Sequence, residues 1–366
     1  MIKCMHTGDL HLGSQFENAS FDSSYGRQRR LELWETFERI IDRAIENKVD
    51  FLFIVGDLYE EKYFNVGDIK RVRDILKKAV DINIIISTGN HDPLRKDSLY
   101  NTIDWPENVY IFQSEGISSI EFKKYNTVIW GYSWDKKEEK KDIFEDLFIE
   151  DTSKINILAI HGDVLNKFSS YLPIDKNKLK SKGFDYIALG HIHKPQFISN
   201  NISYCGSPEP LDFGEAGVHG IVEGTIEKGN VCMSFFPISK RSFIIKEINI
   251  SETMTQKDIL SKIMNLDNAF MRENNLYRIF LNGVRDRDIN IDMDDLKEML
   301  RNEYYYVEII DNTIPDYDLG KLLIQNKNNI IGMFIEEMKK NDLENEIVKA
   351  ALYAGLEVLL DEKVMK

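Results

Sequence analysis

Apolar runs of strand length along this chain break off repeatedly at side chains that bind cations. Residues 3–7 lead to Asp9-Leu10-His11, 51–55 to Gly56-Asp57, and 82–87 to Gly89-Asn90-His91-Asp92. Residues 155–160 end at His161, and 186–189 end at Gly190-His191-Ile192-His193. Continuous apolar runs are what strands buried on both faces require. Between them, Leu31, Trp34, Phe37, Ile41, Ala44 and Ile45 recur at helical spacing. Asp68 is placed to cap a helix with Ile69, Val72, Leu76 and Ala79 on one face. Strands alternating with helices predict an α/β fold whose strand ends converge on one polar site.

Alternate residues of an extended chain share a face. Asp9 with His11, and His191 with His193, can therefore each reach one point beyond a strand end. Gly56 lets the backbone turn sharply and leaves the Asp57 carboxylate free to bridge two ions. Asn90 offers a neutral carbonyl oxygen and His161 a further imidazole. Oxygen and imidazole donors without thiolate suit manganese, iron, zinc or magnesium and argue against a structural zinc cluster. Two divalent ions bring about four positive charges, of which Asp9 and Asp57 cancel half, so the pocket attracts an anionic phosphate. Each motif alone is an ordinary turn sequence; five in order at strand ends are not. His6 and His219 lie outside the motifs and read as ordinary histidines.

That local charge matters because the 366-residue chain carries a formal net charge of −14. A binder that relies on a basic surface to hold nucleic acid would look different. Three widely spaced cysteines, Cys4, Cys205 and Cys232, are expected in a reducing cytoplasm, not in a disulfide framework. No apolar stretch of about 18 residues suggests a membrane span, and the first residues lack a signal-peptide core. Cytoplasmic location is the expectation.

The character of the chain shifts around residues 235–246, where Pro237 precedes Ser239-Lys240-Arg241-Ser242. A β-α-β-α-β unit follows, with strands over 243–250, 277–284 and 304–310 and helices begun near Thr255 and over 294–302. From about Gly332 an amphipathic helical pattern carries Ile335, Met338, Leu343, Ile347, Leu352, Leu356 and Leu359. The expected boundaries are 1–238, 239–320 and 321–366. No Gly-x-x-x-x-Gly-Lys-[Ser/Thr] occurs, so ATP hydrolysis by a P-loop is not expected.

The order Asp-x-His, Gly-Asp, Gly-Asn-His-Asp, His, Gly-His-x-His resembles the calcineurin-like metallophosphoesterases. Metallo-β-lactamases and amidohydrolases would order their ligands differently. Gly190-His191-Ile192-His193-Lys194-Pro195-Gln196, then Tyr204-Cys205-Gly206-Ser207-Pro208-Glu209-Pro210 and Asp212-Phe213-Gly214-Glu215, resemble the SbcD-like DNA repair exonucleases. The resemblance implies a metallophosphoesterase β-sandwich flanked by helices, a smaller α+β capping domain and a C-terminal helical segment. It implies one ion held by Asp9, His11, Asp57 and His193, and a second by Asp57, Asn90, His161 and His191, with manganese the expected metal. His91, beside Asp92, is implied as the unligated catalytic imidazole oriented by a carboxylate. It further implies DNA as substrate, an SbcC-like coiled-coil ATPase as partner, docked through the C-terminal helices unless these pack internally, and a homodimer. Local basic groups would contact phosphate: Arg95, Lys96 and Lys194 first, with Arg27, Arg29, Arg30 and Lys62 as further candidates. A small-molecule phosphodiesterase or phosphatase using the same site is the alternative.

Overall fold

Strand burial follows the apolar runs. In a computed structural model, all residues are described except 17–22, 141–142, 146, 290 and 361–366; the last six residues of the expected helical tail thus lie outside the described residues. The chain divides into two units, Met1–Ser242 and Phe243–Lys366.

The first unit holds two six-stranded sheets. One runs in the order β12-β11-β1-β2-β3-β4, with β1 (Ile2–Thr7), β2 (Phe51–Val55), β3 (Asn83–Ser87), β4 (Val109–Ile111), β11 (Gly220–Glu227) and β12 (Asn230–Pro237). The other runs β5-β6-β7-β8-β10-β9, with β5 (Ser118–Phe122), β6 (Thr127–Tyr132), β7 (Ile155–His161), β8 (Tyr186–Gly190), β9 (Gln196–Ser199) and β10 (Ile202–Tyr204). Strands β1 to β4 are mutually parallel, as are β6, β7, β8 and β10; antiparallel strands close the edges.

Side-chain alternation builds the layers. Phe51, Phe53 and Val55 of β2 pack with Ile157 and Ala159 of β7 and Ala188 of β8 between the sheets. Leu52 and Ile54 point the other way, onto α1 (Ser23–Glu46) and α2 (Val66–Leu76), where Phe37, Ile41, Ile69 and Val72 are buried. Leu158, Ile160, Ile187 and Leu189 form a third core on the outer face of the second sheet with Leu179 of α3 (Lys176–Ser181). The expected α/β sandwich flanked by helices is the fold observed.

Two local expectations change. Leu31 and Ile45 lie on the solvent side of α1, 50% and 38% exposed, while Leu33 and Ile40 occupy its buried face. Asp68 is not the cap of α2. Asn65 is, accepting from the N–H groups of Gly67 and Asp68, while Asp68 accepts in return from the Asn65 N–H.

The second unit is a parallel three-stranded sheet in the order β13-β14-β15, with β13 (Phe243–Ile250), β14 (Leu276–Arg285) and β15 (Tyr306–Pro315). The crossovers carry α4 (Gln256–Met264), α5 (Ala269–Asn274) and α6 (Met293–Leu300). Three further helices follow: α7 (Leu319–Gln325), α8 (Ile330–Met338) and α9 (Glu346–Leu360). Helical structure therefore resumes before Gly332, which sits inside α8. Leu352 and Leu356 are buried against Ile331 and Ile335, whereas Ile347 is exposed. Among the described residues no helix is long and apolar enough to cross a membrane.

Candidate metal centre

The C-terminal ends of the parallel strands β1, β2, β3, β7 and β8 deliver every candidate donor. Loop backbones interlock there: Asp9 N–H donates to Gly56 O at 3.0 Å, His11 N–H to Asp57 O at 2.9 Å, and Gly56 N–H to Ser87 O at 2.7 Å. Asp9, His11, Asp57 and His191 have φ of 48°, 44°, 49° and 103°. Left-handed backbone is costly for residues with a Cβ and gathers where function demands it. Two glycines make the close approach possible. A Cβ on Gly56 would lie 2.1 Å from Nδ1 of His161, and one on Gly89 would lie 2.2 Å from Oδ1 of Asp57.

The donors form overlapping groups. Ligand atoms of Asp9, His11 and His193 lie within 4.8 Å of one another, as do those of Asp9, Asp57 and His161, and those of His11, Asp57 and the rim residue His91. The Nε2 atoms of His11 and His193 are 3.0 Å apart. Nε2 of His161 is 3.0 Å from Oδ1 of Asn90 and 3.3 Å from Oδ2 of Asp57. That same Asp57 oxygen is 3.8 Å from Nε2 of His11, so one carboxylate oxygen faces both imidazoles. The His191 ring stands 5.3 Å from that of His161, and the His191 N–H donates to both Asp9 oxygens. Six of the seven donors expected from the sequence thus meet through their ligand atoms, and the seventh, His191, sets its ring beside His161.

Each of three imidazoles has its Nδ1 engaged from outside. His161 Nδ1 faces Val55 O at 3.1 Å, His11 Nδ1 faces Glu60 Oε1 at 2.7 Å, and His193 Nδ1 faces Glu215 Oε1 at 2.5 Å. Fixing Nδ1 leaves Nε2 for a metal and sets the ring angle. The protonation balance reflects a demand for positive charge. Burial pushes the Asp9 carboxyl up. Burial works against the Asp57 carboxylate too, yet His161 and His11 hold it well below the ordinary range. Burial also opposes a charged His161 or His193, but Asp57 and Asp9 beside the first, and Glu215 and Asp9 beside the second, push each up to about 9. Burial and the neighbouring His161 push His191 down to about 4. Buried carboxylates facing convergent Nε2 atoms and an amide oxygen fit divalent cations of the hard-to-borderline kind.

His91 stands at the rim. Its side chain is 43% exposed, against 2% for His11 and 3% for Asp57. The expected pairing of His91 with Asp92 is not what the structure forms. The fully buried Asp92 accepts from the N–H groups of Asp57, Leu58 and Gly89 and from Tyr100 OH at 2.7 Å, and so ties loops together. Burial and nearby Asp57 push its carboxyl up to about 7. The carboxylate that holds the His91 ring is Glu60, 2.9 Å from Nδ1. Burial opposes protonated His91, but Glu60 and Asp57 raise its pKa.

The basic candidates separate. Lys96 and Lys194 are exposed, while Arg95 is ion-paired with Glu61 and lies 3.5 Å from Asp97. Arg29 is fully buried on Glu32 and Glu209 and cannot contact a ligand phosphate. His6 is buried between Tyr186 OH and Leu189 O, and His219 between Ser207 and the Glu215 carbonyl. Sequence reasoning missed Glu60 and Glu215, since an acidic residue in a loop carries no signal until the ring it faces is known. A cavity of about 290 Å³ opens beside the centre, lined by His11, Gln15, Tyr63, His91 and Asp212 among others.

Two mixed sheets carrying these donors at their strand ends are the architecture of the calcineurin-like phosphoesterases. The profile of the calcineurin-like phosphoesterase family matches residues 2–195, and the chain belongs to that family. Members use a dinuclear metal site, and clusters of Asp and His that could hold metal ions are present here. Among curated relatives, the chain is 27% identical over 247 residues to the uncharacterized metallophosphoesterase YhaO of Bacillus subtilis (strain 168). The match takes in 63% of this chain and 59% of that protein, so the chain spans less than two thirds of the relative's length.

Proposed function

We propose that this chain is a phosphodiesterase that cleaves DNA as an exonuclease and endonuclease in repair, using two manganese ions and working with an SbcC-like coiled-coil ATPase. The observation that carries the reading is His91: a 43% exposed imidazole at the rim of the candidate metal donors, fixed through Nδ1 by Glu60. Asp9, His11, Asp57 and His193 would hold one ion, and Asp57, Asn90, His161 and His191 the other. When bound, such a pair supplies Lewis-acid stabilisation and a nucleophile at neutral pH. The chain's own part is to hold a phosphodiester at the rim and to deliver a proton from His91 Nε2 to the departing oxygen. Glu60 keeps that imidazole charged and oriented.

DNA is favoured by the Tyr204-Cys205-Gly206-Ser207-Pro208-Glu209 segment and by the β-α-β-α-β arrangement of the second unit, features shared with the SbcD-like branch. Lys96 and Lys194 would meet phosphates flanking the cut. One observation favours a second reading, a small-molecule phosphodiesterase: among the described residues no lysine or arginine lines the 290 Å³ cavity, whereas Glu60, Asp212 and Glu215 do. Turnover of duplex DNA ends and of a chromogenic phosphodiester, compared metal by metal and with and without the ATPase, tests the reading. Hydrolysis of the small diester alone under every condition would decide for the alternative.

A further inference from the structure

The loop after β7 spends many hydrogen bonds on holding large apolar side chains in solvent. Asp163 Oδ1 accepts from the N–H groups of Leu165 and Asn166 at 2.8 and 2.9 Å. Asn166 Oδ1 accepts from Phe168 N–H at 3.0 Å, and Ser169 Oγ accepts from Tyr171 N–H at 3.1 Å. Asp163 N–H returns to Tyr171 O, and Leu172 N–H bonds to Glu139 O, which closes the loop on itself and on its neighbour. Within this fixed frame Phe168 is 83% exposed, Leu165 52% and Tyr171 38%. Single exposed apolar residues are commonplace, but three within seven positions of one ordered loop form a patch.

The patch is continuous with the metal centre. Tyr171 lies 4.9 Å from the ring of His191, with the planes tilted by 37°. Phe168 is three residues away, at most about 11 Å along the chain. The Lys167 ammonium sits 4.9 Å from the Phe168 ring, so cation and π-face are presented together. Paired aromatic and cationic groups beside a phosphoester site are what flexible single strands use, since every base has a π-face and every linkage a charge. The deep basic track that a rigid duplex needs is not what this loop offers.

We infer that the loop from Asp163 to Tyr171 is a stacking platform for unpaired nucleobases next to the scissile phosphodiester, with Phe168 as its outer plate. The inference rests on the reading above that the substrate is a nucleic acid, and it narrows that substrate to strands with unpaired bases at the cut. Among the described residues no hydrogen bond or ring contact joins Phe168 to the donors or to His91, and its 83% exposure makes Phe168→Ala a variant that folds.

The test compares kcat and KM of wild type, F168A and F168W with manganese on two substrates, a single-stranded oligonucleotide and bis(4-nitrophenyl) phosphate. A set of oligonucleotides with one abasic position each is added. F168A is expected to raise KM for the oligonucleotide about 5- to 100-fold, the range for loss of one base–aromatic stack. It leaves the chromogenic diester unchanged, and F168W restores the oligonucleotide. One abasic position should reproduce the loss in wild type and add nothing in F168A, the signature of a direct pair. Equal oligonucleotide kinetics for wild type and F168A overturn the platform, as does a parallel loss on both substrates. If wild type hydrolyses the diester but cleaves no nucleic acid, the functional reading fails and the platform with it; cleavage that F168A leaves intact sinks the platform alone. A change of oligomeric state in F168A with unchanged kinetics assigns the patch to a second copy instead.

Discussion

Glu60 and His91 face each other across 2.9 Å, carboxylate oxygen to Nδ1, while the other Glu60 oxygen lies 2.7 Å from Nδ1 of His11. One carboxylate therefore orients both a metal donor and the rim imidazole. Burial disfavours its charge, yet the two imidazoles pull its pKa down to about 2, so it is ionised throughout the working range. Glu60→Gln keeps the shape and removes the charge. Substitutions of such outer carboxylates weaken metal affinity or activity about 10–100-fold. E60Q should lose activity in that range and also bind metal more weakly, because His11 loses its support. A variant that loses activity with metal affinity intact would confine Glu60 to His91.

His91→Ala should separate chemistry from assembly. The ring is at the rim, and its backbone N–H, which donates to Asp57 Oδ1 at 2.9 Å, survives the substitution. Loss of a general acid costs about 10²–10⁴-fold in rate. Metal content measured by plasma mass spectrometry should stay at the wild-type value. A matching drop in bound metal would show His91 to be a donor instead.

The donor set was legible because each motif follows an unbroken apolar run, but strand alternation is not what aligns it: Asp9, His11 and His191 lie past the ends of β1 and β8 with positive φ. The partner of His91 was not legible. Asp92 is its neighbour in sequence, but backbone amides claim that carboxylate, and Glu60 arrives from a loop 31 residues earlier. The same limit applies to Glu215, brought to His193 by the Ser207–Asp212 turn. Strands β1, β2, β3, β7 and β8 announced themselves by unbroken apolar runs. Strand β12 did not, since its half-exposed alternation, from Asn230 to Pro237, lacks a continuous core face. At the C-terminus the pattern hid α7, whose start is set by Asp318 accepting from Lys321 N–H, not by periodicity.

Metal loading should release protons. His161 and His193, each pushed up to about 9, hold a proton at pH 7 in the metal-free centre, and a coordinating imidazole must give it up. The sign follows: apparent affinity for manganese should rise as pH goes from 6 to about 9 and level off above. Titration calorimetry at pH 7 in two buffers of different ionisation enthalpy should report release of about two protons per pair of ions. Asp57→Asn should abolish the second equivalent of bound metal, since Oδ2 of Asp57 lies within reach of both His11 and His161. Buffer-independent heats would refute the protonated resting centre.

Arg29 explains why Glu209 stands in the Gly-Ser-Pro-Glu turn. The guanidinium is wholly buried, with NH1 2.5 Å from Glu32 and NH2 3.0 Å from both Glu209 and the Pro210 carbonyl. Glu209 also accepts from Thr36 Oγ1 at 2.5 Å, and Arg241 reaches Glu32 at 2.8 Å. Helix α1, the Glu209 turn and the chain just before Phe243 are thereby pinned at one point. Removing Glu209 leaves Arg29 and Arg241 sharing the single carboxylate of Glu32, and breaking a buried ion-pair network costs up to about 3–5 kcal/mol. Glu209→Ala should lower the unfolding free energy by that amount in urea titrations, whereas Glu227→Ala, at the exposed end of β11, should change it by less than about 0.5 kcal/mol. The double variant Arg29→Met, Glu209→Ala should lose less than the sum of the single losses, because it removes one charge of each sign and Glu32 keeps Arg241 as its partner. Additive losses would mean that the two side chains stabilise the fold through separate contacts and that the turn is held by its backbone alone.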